Sequence, residues 1–111
     1  MRAEALKGHL DALLLAVLSD GPQHGYAIIE ELRSGSRGAF DLPKGTVYPA
    51  LHRLEQAGLV KGTWSADTGR RRRTYQLTAT GRRRLTTERT TWQQFSTAVS
   101  AVLEGKPWPA T

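Results

Sequence analysis

Arginine is the residue type whose spacing in this chain most clearly points to chemistry. Residues 61–89 contain nine basic and two acidic residues, so this stretch has a net charge of +7 in a protein whose total charge is +6. Residues 70–73 and residues 82–84 are uninterrupted runs of arginine. A concentrated positive charge of this kind suits binding to a polyanion, most simply nucleic acid. A solvated charged surface is the alternative, and the arginine count by itself does not decide between the two.

Other kinds of site find little support in the 111 residues. Cysteine is absent, which excludes disulfides, thiolate zinc sites and thiol-based redox sensing. His9, with Glu4 and Asp11 nearby, lacks the spacing of a metal-binding motif, so we expect no metal and no cofactor. No catalytic triad, carboxylate pair or glycine-rich phosphate loop is identifiable, so we do not expect an enzyme. The lack of a long apolar run or a signal-peptide core predicts a cytoplasmic protein.

Two helices are predicted ahead of the arginine runs. Residues 10–18 are apolar nearly all round, which predicts a buried helix that ends at the turn-forming residues 19–22. Residues 2–8 are a possible helical arm before it. A second helix is predicted over about residues 24–33. Its shared face would carry Tyr26, Ile29 and Leu32.

A third helix is predicted over about residues 45–57. Val47, Leu51 and Leu54 recur at helical spacing and should face inward. Pro49 has no N–H to donate, which favours a regular helix that starts near Thr46 as its N-cap. The opposite face would be exposed and would be centred on Gly45, Pro49, His52 and Gln56.

A hairpin and a long helix complete the predicted elements. Residues 59–64 and 73–77 have strand-like composition, and residues 65–72 would form the polar turn that carries the arginines at its tip. Thr78 is the expected N-cap of a last helix over residues 79–103. A heptad-like pattern runs along that helix, at Leu85, Trp92, Phe95, Val99 and Val102.

This order of elements predicts a mainly α-helical fold with a small β-hairpin, namely a winged helix-turn-helix followed by a long C-terminal dimerisation helix. The expected organisation is a DNA-binding domain over residues 1–78, the dimerisation helix over 79–105 and a flexible tail over 106–111. Helix three would enter the major groove, and the arginine-bearing hairpin would reach the backbone or the minor groove.

The chain resembles the PadR family of bacterial transcriptional regulators over about residues 8–85, with the short C-terminal region of the compact subfamily. The stretches that carry the resemblance are GHLD (8–11), GPQHGY (21–26), GTVYPALHRLE (45–55), GLV (58–60) and RRTYQLT (72–78), with Gly81. The resemblance implies a homodimeric repressor that binds double-stranded DNA at a pseudo-palindromic operator and is released by a small-molecule effector. The DNA-contacting residues that it implies are Lys44, Thr46, Tyr48, His52 and Arg53 on the recognition surface, and Arg70, Arg71 and Arg72 at the wing tip.

The heptad-like residues are the expected dimer interface, because they would otherwise leave an apolar stripe in water. By resemblance to compact family members, Trp92 would border a site for a planar aromatic effector; the alternative is that it packs against the partner helix. Arg73 is expected to pair with an acid, and His24 to be a packed imidazole. Two other functions stay open: a non-specific nucleic-acid-binding or architectural protein, and a protein-interaction module that uses the last helix.

Overall fold

Helices and a small sheet make up the computed structural model, which describes Leu6, residues 8–67 and residues 70–105, without the side chains of 66, 67 and 70. The helices are α1 (Leu10–Val17), extended by a 3₁₀ turn (Leu18–Asp20), α2 (Gly25–Gly35), α3 (Lys44–Gln56) and α4 (Ala79–Glu104). The strands are β1 (Gln23–His24), β2 (Val60–Asp67) and β3 (Arg70–Leu77). The fold is mostly helical with a small antiparallel sheet and a long C-terminal helix, which confirms the predicted fold class.

The core forms where the apolar faces of α1, α2 and α3 meet the base of the sheet. Its fully buried side chains include Leu14, Leu18, Ile28, Leu51 and Val60. Burying a side chain of this size contributes about 1.5–3 kcal/mol relative to leaving it in water. The apolar periodicity of the three helices is therefore what determines how they pack.

The buried face of α2 differs from the predicted one. Gly25, Ile28, Ile29 and Leu32 are buried, at positions i, i+3, i+4 and i+7, whereas Tyr26 is exposed. Successive residues turn by about 100°, so Tyr26 lies roughly 110° away from the centre of this stripe. The prediction that Tyr26 shares the inward face was wrong, and Ile28 takes that place.

The start of α3 also differs from the prediction. The helix begins at Lys44 with Pro43 as its N-cap, and the Pro43 carbonyl accepts from the N–H groups of Thr46 and Val47. Thr46 is therefore not the cap. Pro49 lies inside the helix, beyond its first turn, so the helix lacks the hydrogen bond that an N–H at this position would donate. Burial of Leu42 in the core holds Pro43 at the entrance of the helix.

The sheet contains a strand that the sequence patterns did not predict. Its strand order is β1-β3-β2, and β1 contributes only two pairs, Gln23 with Tyr75 and His24 with Thr74. The hairpin strands are longer than predicted, since pairing runs from Val60↔Leu77 to Asp67↔Arg70. The arginines at 70–72 therefore belong to β3 and not to a turn. Residues 68–69 of the predicted tip lie outside the described residues.

Helix α4 begins on the core and then leaves it. The Thr78 hydroxyl accepts from the Gly81 N–H at 3.0 Å, which confirms the predicted cap. Gly81 lies against the Leu59 carbonyl so closely that a Cβ would overlap it. Beyond Leu85 no residue of α4 is buried, and the described part of the molecule extends over 66 × 28 × 21 Å. Among the described residues, most of α4 therefore lies outside the buried core.

The predicted N-terminal arm and C-terminal tail lie largely outside the described residues, which include only Leu6 and Gly8 of the arm and nothing after Gly105. Among the described helices, none combines the length and hydropathy that crossing a bilayer requires.

Candidate nucleic-acid interface

Helix α3 leaves the predicted recognition residues outside its fully buried face, although Tyr48 packs partly against the core. Val47, Leu51 and Leu54 fill the inner side of the helix. The outward residues are Lys44, His52 and Arg53, which are exposed, and Thr46 and Tyr48, which are half-buried. An α-helix that exposes one polar and basic face has the width and the donor groups to occupy a major groove.

Tyr48 packs against the N-terminus of α2, where Gly25 has no side chain and so leaves room for the ring. A Cβ on Gly25 would lie 2.7 Å from the Tyr48 hydroxyl oxygen and 2.8 Å from the carbon that carries it. The ring therefore packs on the first residue of α2, and its hydroxyl lies beside the helix end that favours anions. This placement suits a hydrogen bond from the phenol to a DNA phosphate.

Replacing Tyr48 with phenylalanine is expected to weaken operator binding roughly tenfold or more without unfolding the protein, because a hydrogen bond to a charged group is lost. Gly25→Ala is expected to weaken binding similarly, because its methyl group displaces the same ring. If both act through the hydroxyl, the double variant binds no more weakly than either single variant. Binding isotherms of the four proteins, with melting curves, measure this.

A matched control for Gly25→Ala is available in the same helix. A Cβ on Gly35 would meet nothing within 4 Å, so Gly35→Ala should leave operator affinity unchanged. Wild-type affinity in Tyr48→Phe would show that the hydroxyl does not bind phosphate.

Arg53 forms an ion pair that connects α3 to α1. Its Nη2 donates to Oδ1 of Asp11 at 2.7 Å, and both side chains are exposed. An exposed pair of this kind contributes about 0–1 kcal/mol to stability. A phosphate could therefore replace Asp11 at little cost, and the pair keeps the guanidinium beside the recognition face.

The wing places two of its arginines on one tryptophan. The Arg71 guanidinium carbon lies 4.7 Å from the centre of the Trp64 ring and that of Arg73 lies 5.2 Å from it. Arg71 and Arg72 are exposed, as is much of the Trp64 ring. The side chain of Arg70 lies outside the described part of the structure. Trp64 is a wing residue that the sequence patterns did not single out, since it was counted only as strand-forming.

Arg73 is paired with an acid, as expected. Its guanidinium contacts the carboxylate of Glu55 on α3. The neighbouring Tyr75 is buried, and this burial raises the pKa of its hydroxyl, while the positive charge of Arg73 opposes the rise. Arg73 thus connects the wing to the recognition helix, a role that composition did not indicate.

The remaining charged and polar candidates have modest local contacts. Arg83 donates to Thr80 at 3.2 Å, and Arg84 lies 3.9 Å from Glu88. The His24 Nδ1 lies 3.1 Å from the Thr74 hydroxyl, in keeping with a packed imidazole. Across the described ranges, no three His, Asp or Glu side chains come together in a group that suits a metal ion.

The heptad-like residues of α4 do not all share one environment. Leu85 is buried in this chain's own core, whereas Trp92, Phe95 and Val102 are 53%, 56% and 80% exposed. Trp92 meets His9 edge-on at 5.5 Å and Phe95 at 6.2 Å between ring centres. The exposed apolar face therefore starts at Trp92, about two helical turns beyond Leu85.

A groove of about 530 Å³ opens between α1 and α4 beside this face. It is lined mainly by apolar side chains, with a carboxylate and a guanidinium at one side. The lining includes Leu6, Leu13, Phe40, Leu85, Glu88 and Trp92.

Three helices, a hairpin wing and a basic outward face on the second helix of the helix-turn-helix define a winged-helix DNA-binding protein. Comparison with known proteins identifies the group within this class. The model of the transcriptional regulator PadR-like family matches residues 14–87. The chain therefore belongs to the PadR-like family of DNA-binding transcriptional regulators.

Individual relatives agree with this assignment. The transcriptional regulator Rv3488 of Mycobacterium tuberculosis is 37% identical over 81 residues, which are 73% of each chain. A PadR-like transcriptional regulator from Bacillus cereus is 28% identical, with a TM-score of 0.81 over 94% of this chain and 100% of that one. A PadR family transcription regulator from Clostridium difficile is 33% identical, with a TM-score of 0.75 over 88% and 100%.

Proposed function

We propose that this protein is a homodimeric repressor that acts in the cytoplasm. It would repress transcription by binding to a pseudo-palindromic operator, without catalysing a reaction. The observation that carries the proposal is the exposed apolar face of α4. Single exposed apolar residues are ordinary, but a contiguous stripe on a helix that projects from the core marks an interaction surface. A second copy of the same helix, related by two-fold symmetry, would cover the same residues on both subunits.

The dimer interface in this proposal consists of Trp92, Phe95, Val99 and Val102. Leu85 was also expected to belong to it; in this chain Leu85 is buried in the core and lines the groove beside α4. Pairing at α4 would set the distance between two copies of α3. Half-sites about 34–36 Å apart, one turn of B-DNA, are the separation that such dimers match.

The DNA contacts in this proposal are those of α3 and the wing. Lys44, Thr46, Tyr48, His52 and Arg53 would face the major groove and its phosphates, and Arg70, Arg71 and Arg72 would contact the backbone beside it. Occupying a promoter in this way would block transcription from it. The exposure of most of these side chains supports the proposal, namely that of Lys44, His52, Arg53, Arg71 and Arg72.

Footprinting on DNA that flanks the protein's own gene, together with mass measurement in solution, tests this function. A dimer that protects one symmetric site and reduces transcription from that promoter in vitro is the expected result. Uniform coating of the DNA would indicate a non-specific or architectural protein. A monomer that binds an unrelated helix would indicate an interaction module.

An effector site beside Trp92 is the last part of the proposal. Its indole offers a broad rigid face at the edge of the groove between α1 and α4, and two-fold symmetry would bring a second indole to the same opening. A planar aromatic molecule held there would favour the dimer geometry in which the two α3 helices no longer fit the half-sites. Packing of Trp92 against the partner helix, with no ligand, is the competing arrangement.

Titration of planar cationic and phenolic compounds is expected to quench Trp92 fluorescence saturably, because stacking brings the ligand into contact with the indole. The measurement uses a protein in which Trp64 and Trp108 are phenylalanine, since both also emit. Trp92→Ala should abolish ligand binding and keep the dimer. Loss of the dimer in Trp92→Ala, or no quenching across the panel, would favour packing.

A further inference from the structure

We propose that Arg73 and Glu55 are positioning residues that hold the wing at a fixed angle to the recognition helix, and that Arg73 does not contact DNA. The proposal rests on the operator binding proposed above. It separates the four consecutive arginines, which the sequence presents as one basic run, into residues that face DNA and one that organises the site.

The Arg73 side chain is enclosed by contacts within the protein. Its guanidinium meets the Glu55 carboxylate and lies over the Trp64 ring. It also crosses Gly62 on the neighbouring strand, where a Cβ would lie 2.8 Å from Nε and 2.9 Å from Nη2. The paired side chains are only 27% and 25% exposed, against 61% and 41% for the Arg53–Asp11 pair. The guanidinium charge is thus offset by Glu55, and most of the side chain is shielded from a phosphate.

The alternation of β3 explains why Arg72 and Arg73 differ, whereas Arg71, on the same face as Arg73, lies farther out along the hairpin and is exposed. Arg73 shares its strand face with Tyr75 and Leu77, which are buried, so this face points toward the core and α3. Arg72 points to the opposite face and is exposed. Arg72 is therefore exposed to solvent, whereas the adjacent Arg73 is packed against the protein.

The contact between Arg73 and Glu55 lies at the point of the hairpin where it can control the direction of the wing. Strand β1 pairs with β3 only at Thr74 and Tyr75, so the hairpin continues beyond Thr74 as two strands. A two-stranded ribbon is weakly stable by itself and twists strongly. Arg73 and its partner Trp64 form the first pair past the third strand, and Glu55 anchors this pair to α3. A constraint at this point determines where the wing tip lies relative to α3.

Removing the charge of Glu55 tests the proposal, because electrostatics and positioning predict opposite changes in affinity for the operator. Glu55→Gln removes a negative charge close to the DNA-binding face and frees Arg73, so general electrostatics predicts tighter binding. Positioning predicts the reverse for the operator, because the wing loses its fixed angle. We expect roughly fivefold or more loss of affinity, in the range of couplings between contacting residues.

The experiment uses the full-length protein and a duplex selected by the wild type from a random-sequence library. Affinities are measured for this duplex and for a random duplex of equal length. We expect Glu55→Gln and Arg73→Gln to weaken binding to the selected duplex and to change binding to the random duplex less. The double variant should bind the selected duplex no more weakly than the weaker single variant.

A control and a structural signal accompany the affinities. Glu30→Gln removes a carboxylate from an exposed ion pair with Arg33 within α2 and should leave the selectivity unchanged. In spectra of ¹⁵N-tryptophan-labelled protein, Glu55→Gln should shift the indole signal of Trp64 and leave that of Trp92 in place. If Glu55→Gln unfolds the protein, Glu55→Asp, which keeps the charge and withdraws it, replaces that variant.

Equal or tighter binding of the selected duplex by Glu55→Gln overturns the proposal. So does additive loss in the double variant, or a drop of about 0.9 in the salt slope on random DNA for Arg73→Gln, the signature of a lost phosphate contact. Failure of the wild type to select any sequence contradicts operator binding itself and is recognised before any variant is made.

Discussion

Deletion of residues 90–111 is expected to convert the protein to monomers or to insoluble material and to abolish tight operator binding. The deletion removes the exposed part of α4, from just before Trp92 onward, and leaves Leu85 and the cap at Thr78 in place. In the proposed dimer each subunit binds one half-site, so each remaining domain would occupy one half-site only. Loss of the second, linked contact commonly lowers apparent affinity by about 10²–10⁴-fold.

Light scattering after gel filtration, with binding to full and half operators, measures this effect. Deletion of residues 106–111 alone is the matched control and should leave both the dimer and the affinity unchanged. A protein truncated at residue 89 that remains dimeric would place the interface elsewhere. In that case the apolar face of α4 needs a different partner.

Replacing Arg70, Arg71 and Arg72 with alanine is expected to lower operator affinity strongly at low salt and to flatten its salt dependence. Each phosphate neutralised contributes about −0.9 to the slope of log K against log salt, so the slope should decrease by roughly one to three units. Arg73 is retained in this variant because it is paired with Glu55. Binding isotherms at four or more salt concentrations give the slope.

The arginines that open α4 provide a control of equal charge. Replacing Arg82, Arg83 and Arg84 with alanine removes the same three charges from the start of the helix, where they lie outside the wing. The difference in slope between the two variants isolates the contribution of the wing. An unchanged slope in the first variant would show that the wing does not touch DNA.

Local patterns in the sequence were sufficient for the order and type of most elements. Helical spacing of leucine and valine identified α1 and α3, and strand-like composition on both sides of a polar segment identified the hairpin. A threonine followed by helix-forming residues located the start of α4. These signals depend on neighbours within about one turn or one strand, so they hold wherever the segment packs. The family motifs, read in order, identified the family and predicted which surfaces would face DNA.

Contacts between distant segments depended on the tertiary structure. Strand β1 has two residues and no pattern of its own, and it exists because β3 offers it a free edge. Composition could not assign Arg73 to Glu55, nor Arg53 to Asp11, because each pair joins different elements. Whether Leu85 faces the core or a partner was likewise undecided by a heptad pattern, since apolar spacing looks the same for both. Sequence alone thus determined which faces are apolar or basic. Only packing determined which partner each face meets, because the free-energy cost of an unburied or unpaired group depends on which groups the whole fold places beside it.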